Sequence, residues 1–381
     1  MKEFIDGAEA IVRGAIAAGC NFFAGYPITP ATPILHRMIA EVPRIGGVAV
    51  QAEDEIASIG MCIGAAMVGA KAMTATSGPG ISLCSENIGL AIMGEVPLVI
   101  VDVMRLGPAT GGATTVGQGD VQFAEWGTSG GYPNIVLCPS NPRECYSFTT
   151  KAFQLAARFR SPVFLLTDRE VVATMSTVEM ETYTANSVCP HLEFTGNLDA
   201  GEPFIPYHVD KVDDVPAFSP YGGPNLVRFT GSTHDEHGFL TKNPKKVARL
   251  NQHLAEKIDA HRDEIELVTS DLQSKAKTLI VSYGVTARSM LEAIAAKRHE
   301  NGKVSGLIVH SLWPVPESAI YHAMQGVERV VVAELNLGQY RRELERLLSF
   351  LPRSDKRPEI VGVNRVDGEL ITPQEMLEKV L

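Results

Sequence analysis

The sequence predicts an α/β protein with an open, mainly parallel sheet, followed by a smaller α/β domain. Over residues 1–180, short apolar runs alternate with helical patterns, which is typical of a parallel sheet covered by helices. Residues 181–268 break the alternation with a stretch rich in proline, glycine and aspartate. The alternation resumes at 269–381. We therefore predict a first domain at 1–180, an extended connector with a polar helix at 181–268, and a C-terminal α/β domain at 269–381.

The elements of the first domain follow from its apolar runs and capping residues. The predicted helices cover residues 6–18, 30–40, 54–68, 82–93 and 142–158, and the predicted strands cover 21–25, 48–51, 72–76, 98–103, 134–137 and 163–166. Asp6 is a favourable cap for the first helix, and Gly19 is a favourable stop. Asn141 followed by Pro142 is a good start for the last helix.

The remaining elements are fewer. We predict a polar helix at 244–265, strands at 278–282, 306–310 and 330–333, and helices at 287–297 and 339–350. His234 and His237 in the connector have helical spacing but no third ligand, so we predict a solvated loop there and no metal site.

Composition excludes several classes of protein. The chain has 381 residues, of which 45% are hydrophobic and 20% charged, with a net charge of -10 and no basic run, which disfavours nucleic-acid binding. No apolar run is long enough to span a membrane, and the N-terminus lacks a signal-peptide pattern, so we predict a cytoplasmic protein. The six cysteines form no C-x-x-C pair, which predicts reduced, mostly buried thiols rather than a zinc or iron–sulfur site.

Four unusual turns each follow a predicted strand. They read GYPITPAT from Gly25, QAEDE from Gln51, TSGPG from Thr76 and DVMRLGPATGG from Asp102. The carboxyl ends of parallel strands meet at one edge of a sheet, where ligands bind. Each turn alone has a structural explanation: a rigid proline turn, a helix start, a glycine turn or a surface arginine. The four together favour a binding site.

The acids of the second turn differ in their expected roles. Glu53 and Asp54 lie where acids complement a helix dipole. Glu55 is followed on its helix face by Ile59 and Cys62, and the other faces are also apolar or small, which predicts a largely buried helix. A carboxylate there needs a partner, and a ring nitrogen of a ligand fits this requirement.

These turns resemble the α subunit of the 2-oxoacid:ferredoxin oxidoreductases, which use thiamine diphosphate. The resemblance implies a pyrimidine-binding domain, then a C-terminal domain like that of transketolase. It implies that Glu55 is catalytic and binds the aminopyrimidine of the cofactor, that Thr29 contacts the 2-oxoacid, and that Arg105 pairs with the substrate carboxylate. Ser77, Gly78 and Pro79 are assigned to the cofactor site by position only.

The chain departs from a complete enzyme of this family. It has no GDG motif for the Mg²⁺ of the cofactor; GQGD, ending at Asp120, lacks the final glycine. The resemblance therefore implies that a β subunit supplies the diphosphate site, the Mg²⁺ and a [4Fe-4S] cluster. It also implies a separate γ subunit, with CoA, a 2-oxoacid and ferredoxin as reaction partners.

The substrate is the least determined feature. The stretch RLGPATGGATTVGQGD, residues 105–120, resembles the 2-oxoglutarate branch more than the pyruvate or branched-chain branches, but differs at Leu106 and at 111–115. Two other functions stay open: a transketolase-like or non-oxidative thiamine diphosphate enzyme, and a scaffold that has lost its chemistry. The joint presence of Thr29, Glu55 and Arg105 disfavours the scaffold.

Overall fold

The structure is a computed structural model that describes residues 2–179, 203–350 and 357–381. The first part of the chain contains, in order, β1 (Lys2–Ile5), α1 (Gly7–Ala17), β2 (Phe22–Gly25), α2 (Thr32–Glu41), β3 (Val48–Gln51), α3 (Glu55–Met67), β4 (Ala72–Thr76), α4 (Pro79–Leu83), α5 (Ser85–Met93), β5 (Leu98–Met104), α6 (Val121–Trp126), β6 (Ile135–Leu137), α7 (Pro142–Phe159), β7 (Pro162–Asp168), α8 (Arg169–Ala173) and β8 (Ser176–Glu179).

The later part of the chain contains, in order, α9 (Pro244–Asp259), α10 (Arg262–Ile265), β9 (Val268–Asp271), β10 (Thr278–Ser282), α11 (Thr286–His299), β11 (Ser305–Val309), β12 (Ser311–Trp313), α12 (Glu317–Ala323), β13 (Arg329–Glu334), α13 (Arg341–Phe350), β14 (Glu359–Asn364) and α14 (Pro373–Leu377). No described helix is both long enough and apolar enough to cross a bilayer.

The first sheet has seven strands in the order β12-β6-β7-β5-β4-β2-β3. All pairs within it are parallel except that β12 runs antiparallel to β6. The three central strands β4, β5 and β7 are buried along their whole length, which is why they read as continuous apolar runs. The predicted open, mainly parallel sheet is confirmed.

The second sheet has five strands in the order β14-β13-β10-β11-β9, and only β9 is antiparallel. After β11 the chain crosses to the first sheet, where β12 adds a strand at the edge, and it then returns to the second sheet as β13. Trp313 of β12 is buried and donates from Nε1 to the Val121 carbonyl at 3.0 Å. The two sheets are therefore joined by a strand that the sequence did not reveal.

Most predicted elements are present with end shifts of a few residues, and the capping predictions hold. Asp6 accepts a hydrogen bond from the Glu9 amide, and Asn141 accepts one from Glu144. The single helix predicted at 82–93 is wrong, because Cys84 separates α4 from α5. The helix predicted at 244–265 is likewise divided into α9 and α10. The thiol prediction holds for the five described cysteines, all free and buried, whereas Cys189 lies outside the described residues.

The connector packs on the amino edge of the first sheet. Residues 181–202 lie outside the described residues, and 203–243 contain no helix or strand. The solvated loop predicted around His234 is wrong for that residue: its side chain is buried, and its ring centroid lies 4.0 Å from that of Tyr207. His237 is exposed, as predicted.

A buried ionic cluster holds α9 against the first domain. Glu95 precedes β5 with a φ of 52°, and its carboxylate accepts from Lys257 at 2.7 Å and His253 at 3.0 Å, both on α9. Burial alone raises the pKa of Glu95, but Lys257, His253 and the nearby Arg160 together hold it well below its usual range. Its contribution to stability is therefore present at neutral pH and is lost as the pH falls through the lowered pKa.

We expect Lys257→Met to destabilise the protein by about 3–5 kcal/mol, because it leaves a buried carboxylate without its nearest cation. The measurement is the free energy of unfolding at neutral pH. The matched control is Lys277→Met, whose ion pair with Glu328 is exposed and accounts for at most about 1 kcal/mol. Equal losses in the two variants would contradict the importance of the buried cluster. The difference should shrink in acid, where Glu95 takes up a proton.

Candidate active site at the carboxyl edge of the first sheet

The four unusual turns lie next to one another. Strands β5, β4, β2 and β3 are consecutive neighbours in the first sheet and all run in parallel. The turns that follow them therefore share the carboxyl edge of the sheet, as the sequence predicted. Local backbone contacts fix this arrangement, since the Ala52 amide after β3 donates to the Gly25 carbonyl at the end of β2 at 3.0 Å.

Glu55 is the first residue of α3 and lies at this edge. Asp54 caps the helix by accepting from the Ala57 amide at 2.7 Å, which leaves the Glu55 carboxylate free for another role. Glu55 is only 6% exposed, and no described group donates a hydrogen bond to its carboxylate. A buried carboxylate without a donor is costly, so this position is suited to a ligand with a proton to share.

The TSGPG turn forms the floor beside Glu55. Gly78 has a φ of 46° and begins α4, and Pro79 occupies the first turn of that helix. The hydroxyls of Thr76 and Ser77 are buried and have no hydrogen-bond partner among the described residues. A Cβ at Gly80 would collide with the Thr76 hydroxyl and the Glu55 carboxylate. Gly80 thus keeps the Glu55 carboxylate close to this floor.

The structure brings Thr29 and Arg105 together. Arg105 follows β5, is 6% exposed, and donates from one terminal nitrogen to the Thr29 carbonyl at 2.6 Å. The Thr29 side chain is exposed. The Arg105 Nε is buried without a partner, and Arg105 forms no ion pair with a described carboxylate. A guanidinium in this state is suited to bind a carboxylate ligand through two donors.

Gln118 connects the turn after Arg105 to the second sheet. Its fully buried side chain donates to the Tyr283 carbonyl at 3.2 Å and accepts from the Thr286 hydroxyl and the Leu335 amide at 3.0 Å each. Sequence reasoning missed this residue, because these three partners lie more than 160 positions away. The C-terminal part of the chain therefore fixes the loop that follows Arg105.

Two further acids lie near Arg105, and the sequence analysis did not select them as site residues. Asp102 on β5 is 1% exposed, and Asp120 precedes α6 and is half-buried. Burial raises the pKa of Asp102 well above its usual range, Asp120 raises it further, and Arg105 opposes both effects. Burial also raises the pKa of Asp120 to about 6, again opposed by Arg105. A lone acid in the apolar run PLVIVDV was the available signal for Asp102.

The prediction of a largely buried α3 is confirmed for seven of its thirteen residues, but one side of the helix is not covered. One side of the helix is exposed and apolar, with Ile56 at 49%, Met61 at 38% and Val68 at 59% exposure. Gly60 and Gly64 lie on the same side, and a Cβ at either would meet open space. Leu83 of α4 is also exposed. We call Ile56, Met61, Val68 and Leu83, with the two glycines, the α3 face.

The residues at the carboxyl edge fit the pyrimidine half of thiamine diphosphate. They offer the carboxylate of the largely buried Glu55, two buried hydroxyls without partners among the described residues, and a floor kept narrow by glycine. They do not supply a metal site, since no group of three acidic, histidine or cysteine side chains in the described part of the chain is arranged to bind a metal ion.

Comparison with known families agrees with this geometry. Residues 13–249 match the family described as "Pyruvate flavodoxin/ferredoxin oxidoreductase, thiamine diP-bdg". Residues 276–376 match core domain II of pyruvate:ferredoxin oxidoreductase. The chain belongs to the 2-oxoacid:ferredoxin oxidoreductase family. The family resemblance read from the four turns is confirmed, and so is the presence of a thiamine diphosphate-binding domain.

This chain is 39% identical to a curated relative, the 2-oxoglutarate synthase subunit KorA of Methanothermobacter thermautotrophicus, with 99% of this chain and 98% of the relative aligned. It is 38% identical to KorA of Methanocaldococcus jannaschii, with 100% and 99% aligned. It is 33% identical to the ketoisovalerate oxidoreductase subunit VorB of M. thermautotrophicus, with 99% and 97% aligned.

Solved structures agree. The chain is 29% identical to 2-oxoglutarate:ferredoxin oxidoreductase from Magnetococcus marinus, solved with 2-oxoglutarate, coenzyme A and succinyl-CoA bound, with a TM-score of 0.90. The aligned region covers 99% of this chain and 64% of the longer Magnetococcus marinus chain. A split-gene transketolase, described as an inactive β4 tetramer, has a TM-score of 0.56 at 13% identity, which shows the shared fold alone.

Proposed function

We propose that the chain is the α subunit of an enzyme that converts 2-oxoglutarate and CoA to succinyl-CoA and carbon dioxide, passing two electrons to ferredoxin. The observation that carries this proposal is the carboxylate of the largely buried Glu55, which accepts no hydrogen bond from a described group, at the same sheet edge as Arg105, which forms no ion pair with a described carboxylate. The 2-oxoglutarate synthase subunits at 38% to 40% identity support the choice of substrate.

Thiamine diphosphate, when bound, supplies the electron sink that decarboxylation of a 2-oxoacid requires. The residues of this chain hold and orient the reactants. Glu55 would hold the cofactor's pyrimidine by accepting a hydrogen bond from it, and its carboxylate would share that proton. Ser77, Gly78 and Pro79 lie against the pyrimidine. Arg105 binds the substrate carboxylate through two donors, and the Thr29 hydroxyl contacts the 2-oxoacid.

A partner completes the site. We assign the binding site for the cofactor's diphosphate, its Mg²⁺ and a [4Fe-4S] cluster to a β subunit. We propose a separate γ subunit as a further member of the complex. The domain division at 1–180, 181–268 and 269–381 and the cytoplasmic location belong to the same proposal. The two sheets of the chain support the division, with β12 as the link between them.

The choice of substrate is tested by assaying the purified complex of this chain and its partner subunits with several 2-oxoacids. We expect reduction of a viologen dye with 2-oxoglutarate and CoA, at a kcat/KM at least about tenfold above that with pyruvate or a branched-chain 2-oxoacid. A preference for a monocarboxylic 2-oxoacid would overturn the substrate but keep the family. Turnover without CoA or an electron acceptor would instead favour a non-oxidative enzyme.

The α3 face is the expected contact surface of the partner subunit, because it continues directly from Glu55, whose ligand the partner must help to enclose. We expect Met61→Lys to weaken subunit association by at least about tenfold, since it places a charge in an apolar interface. Dissociation is measured by titrating one purified subunit into the other. Leu291→Lys on α11, where the leucine is 46% exposed, is the control. Unchanged affinity in Met61→Lys would place the interface elsewhere.

A further inference from the structure

Asp102 is an unusual residue for the interior of a parallel sheet. Both of its carboxyl oxygens are buried, and neither has a hydrogen-bond partner in the described chain. Asp102 is the register partner of Thr76 on β4, so the two side chains share a face of the sheet. On the same face, Ile100 and Met104 belong to the same buried apolar cluster as Ile59 of α3. Asp102 therefore lies inside the candidate site, on the side of Glu55.

Asp120 completes a pair of acids. It precedes α6 without capping it through its side chain, and its Oδ2 is buried without a partner. The backbone next to it is held by Gln339, which donates to the Gly119 carbonyl at 2.6 Å. Asp120 is thus fixed in place by the second sheet and is not used for local structure.

Among the described residues, Arg105 is the cation near the pair, and the turn that leads to Asp120 packs against it, since a Cβ at Gly117 would lie 2.9 Å from the Arg105 carbonyl oxygen. Arg105 lies close enough to favour ionisation of both acids, but it forms an ion pair with neither. The other titratable groups that reach Asp102 are Cys84, at the junction of α4 and α5, and beyond it Glu55. Asp168 on β7 lies near Gln118 and already accepts hydrogen bonds from the Val285 and Val171 amides. No other described residue is placed to compensate the negative charge of Asp102 and Asp120.

Two acids that lie near each other with buried carboxyl oxygens do not both ionise readily, because each negative charge disfavours the second. The first proton lost leaves one carboxylate beside Arg105. That carboxylate cancels much of the field that a guanidinium offers to an anionic ligand. With both acids neutral, Arg105 keeps its full attraction for a carboxylate.

We propose that Asp120, whose buried Oδ2 has no partner in the described chain, is a positioning residue that sets the affinity of Arg105 for the substrate carboxylate. This inference rests on the proposed function, since it takes the ligand of Arg105 to be a 2-oxoacid. Ionised Asp120 weakens binding of the 2-oxoacid, and neutral Asp120 strengthens it. The raised pKa of Asp120, about 6, places this change in the physiological range.

The test is the pH dependence of KM and kcat for 2-oxoglutarate in the assembled complex. For the wild type we expect KM to rise by about tenfold from pH about 5 to pH about 7.5 as Asp120 ionises. In Asp120→Asn this rise should vanish, so that KM at the higher pH falls about tenfold below the wild type while kcat changes less than about twofold. Asp259→Asn, at an exposed acid of α9, is the control and should keep the wild-type profile.

The variant Asp102→Asn distinguishes the contribution of Asp102 to the pH dependence of KM from that of Asp120. Because an amide mimics a protonated carboxyl, the rise of KM should persist in this variant at the same or a lower pH. Loss of the rise in Asp102→Asn, or its persistence in Asp120→Asn, overturns the assignment. A parallel fall in kcat and thermal stability at every pH in Asp120→Asn would show a structural role instead. A wild-type complex that oxidises no 2-oxoacid refutes the proposed function itself, which is a separate outcome.

Discussion

Replacing Glu55 by glutamine should lower turnover of the assembled complex by about 10²–10⁴-fold, because an amide cannot take the proton-sharing role of the carboxylate. The change keeps the size of the side chain, so the floor formed by Thr76 and Gly80 stays intact. The loss should appear in kcat at saturating 2-oxoacid and cofactor. The measurement is steady-state reduction of a viologen dye.

Glu53→Gln is the matched control for this experiment. Glu53 lies two positions earlier in the same turn, carries the same charge and is exposed. We expect its turnover to stay within about twofold of the wild type, since a surface acid near a helix N-terminus contributes only about 0.3–1 kcal/mol to stability. Equal activity of Glu55→Gln and Glu53→Gln would remove the proposed mechanism.

Replacing Arg105 by glutamine should lower kcat/KM for every accepted 2-oxoacid by about 10²–10³-fold, mainly through KM. A buried charge pair that loses one partner costs about 2–5 kcal/mol, and each 1.4 kcal/mol is a factor of about ten. Arg105→Lys should recover only part of this loss, because an ammonium keeps the charge but not the forked pair of donors.

The effect should be the same for monocarboxylic and dicarboxylic 2-oxoacids, because Arg105 is assigned to the carboxylate that both share. Arg44→Gln is the control, since Arg44 is highly exposed and pairs only with Glu41. A loss confined to 2-oxoglutarate would reassign Arg105 to the second carboxylate of that substrate.

Much of the candidate site was accessible from the sequence, because it is built from turns after parallel strands. A strand of apolar residues followed by prolines, glycines or an acid is readable locally, and the parallel sheet aligns the carboxyl ends of such strands. Thr29, Glu55 and Arg105 therefore fall at one edge even though they are far apart in the chain. The helix caps Asp6 and Asn141 were equally local, so their predictions held.

Other features depend on partners that no local pattern specifies. Apolar or small residues on every side of α3 predicted a largely buried helix, but which side is covered depends on what packs there. His234 lies in a proline-rich stretch, and it is buried by contacts with distant groups such as the Tyr207 ring and the Met93 carbonyl. Gln118 has no sequence signature, since the four hydrogen bonds of its side chain reach groups on three different segments of the chain.

By itself, the sequence determined the parallel α/β architecture, the order of the four turns and the acid at position 55, because strand period, capping and turn chemistry act over a few neighbouring residues. Only the tertiary structure decided that β12 joins the two sheets, that α3 leaves one apolar face open, and that Asp102 and Asp120 share a buried environment with Arg105. Burial and charge coupling are properties of the packed chain, since they depend on groups brought together from distant positions.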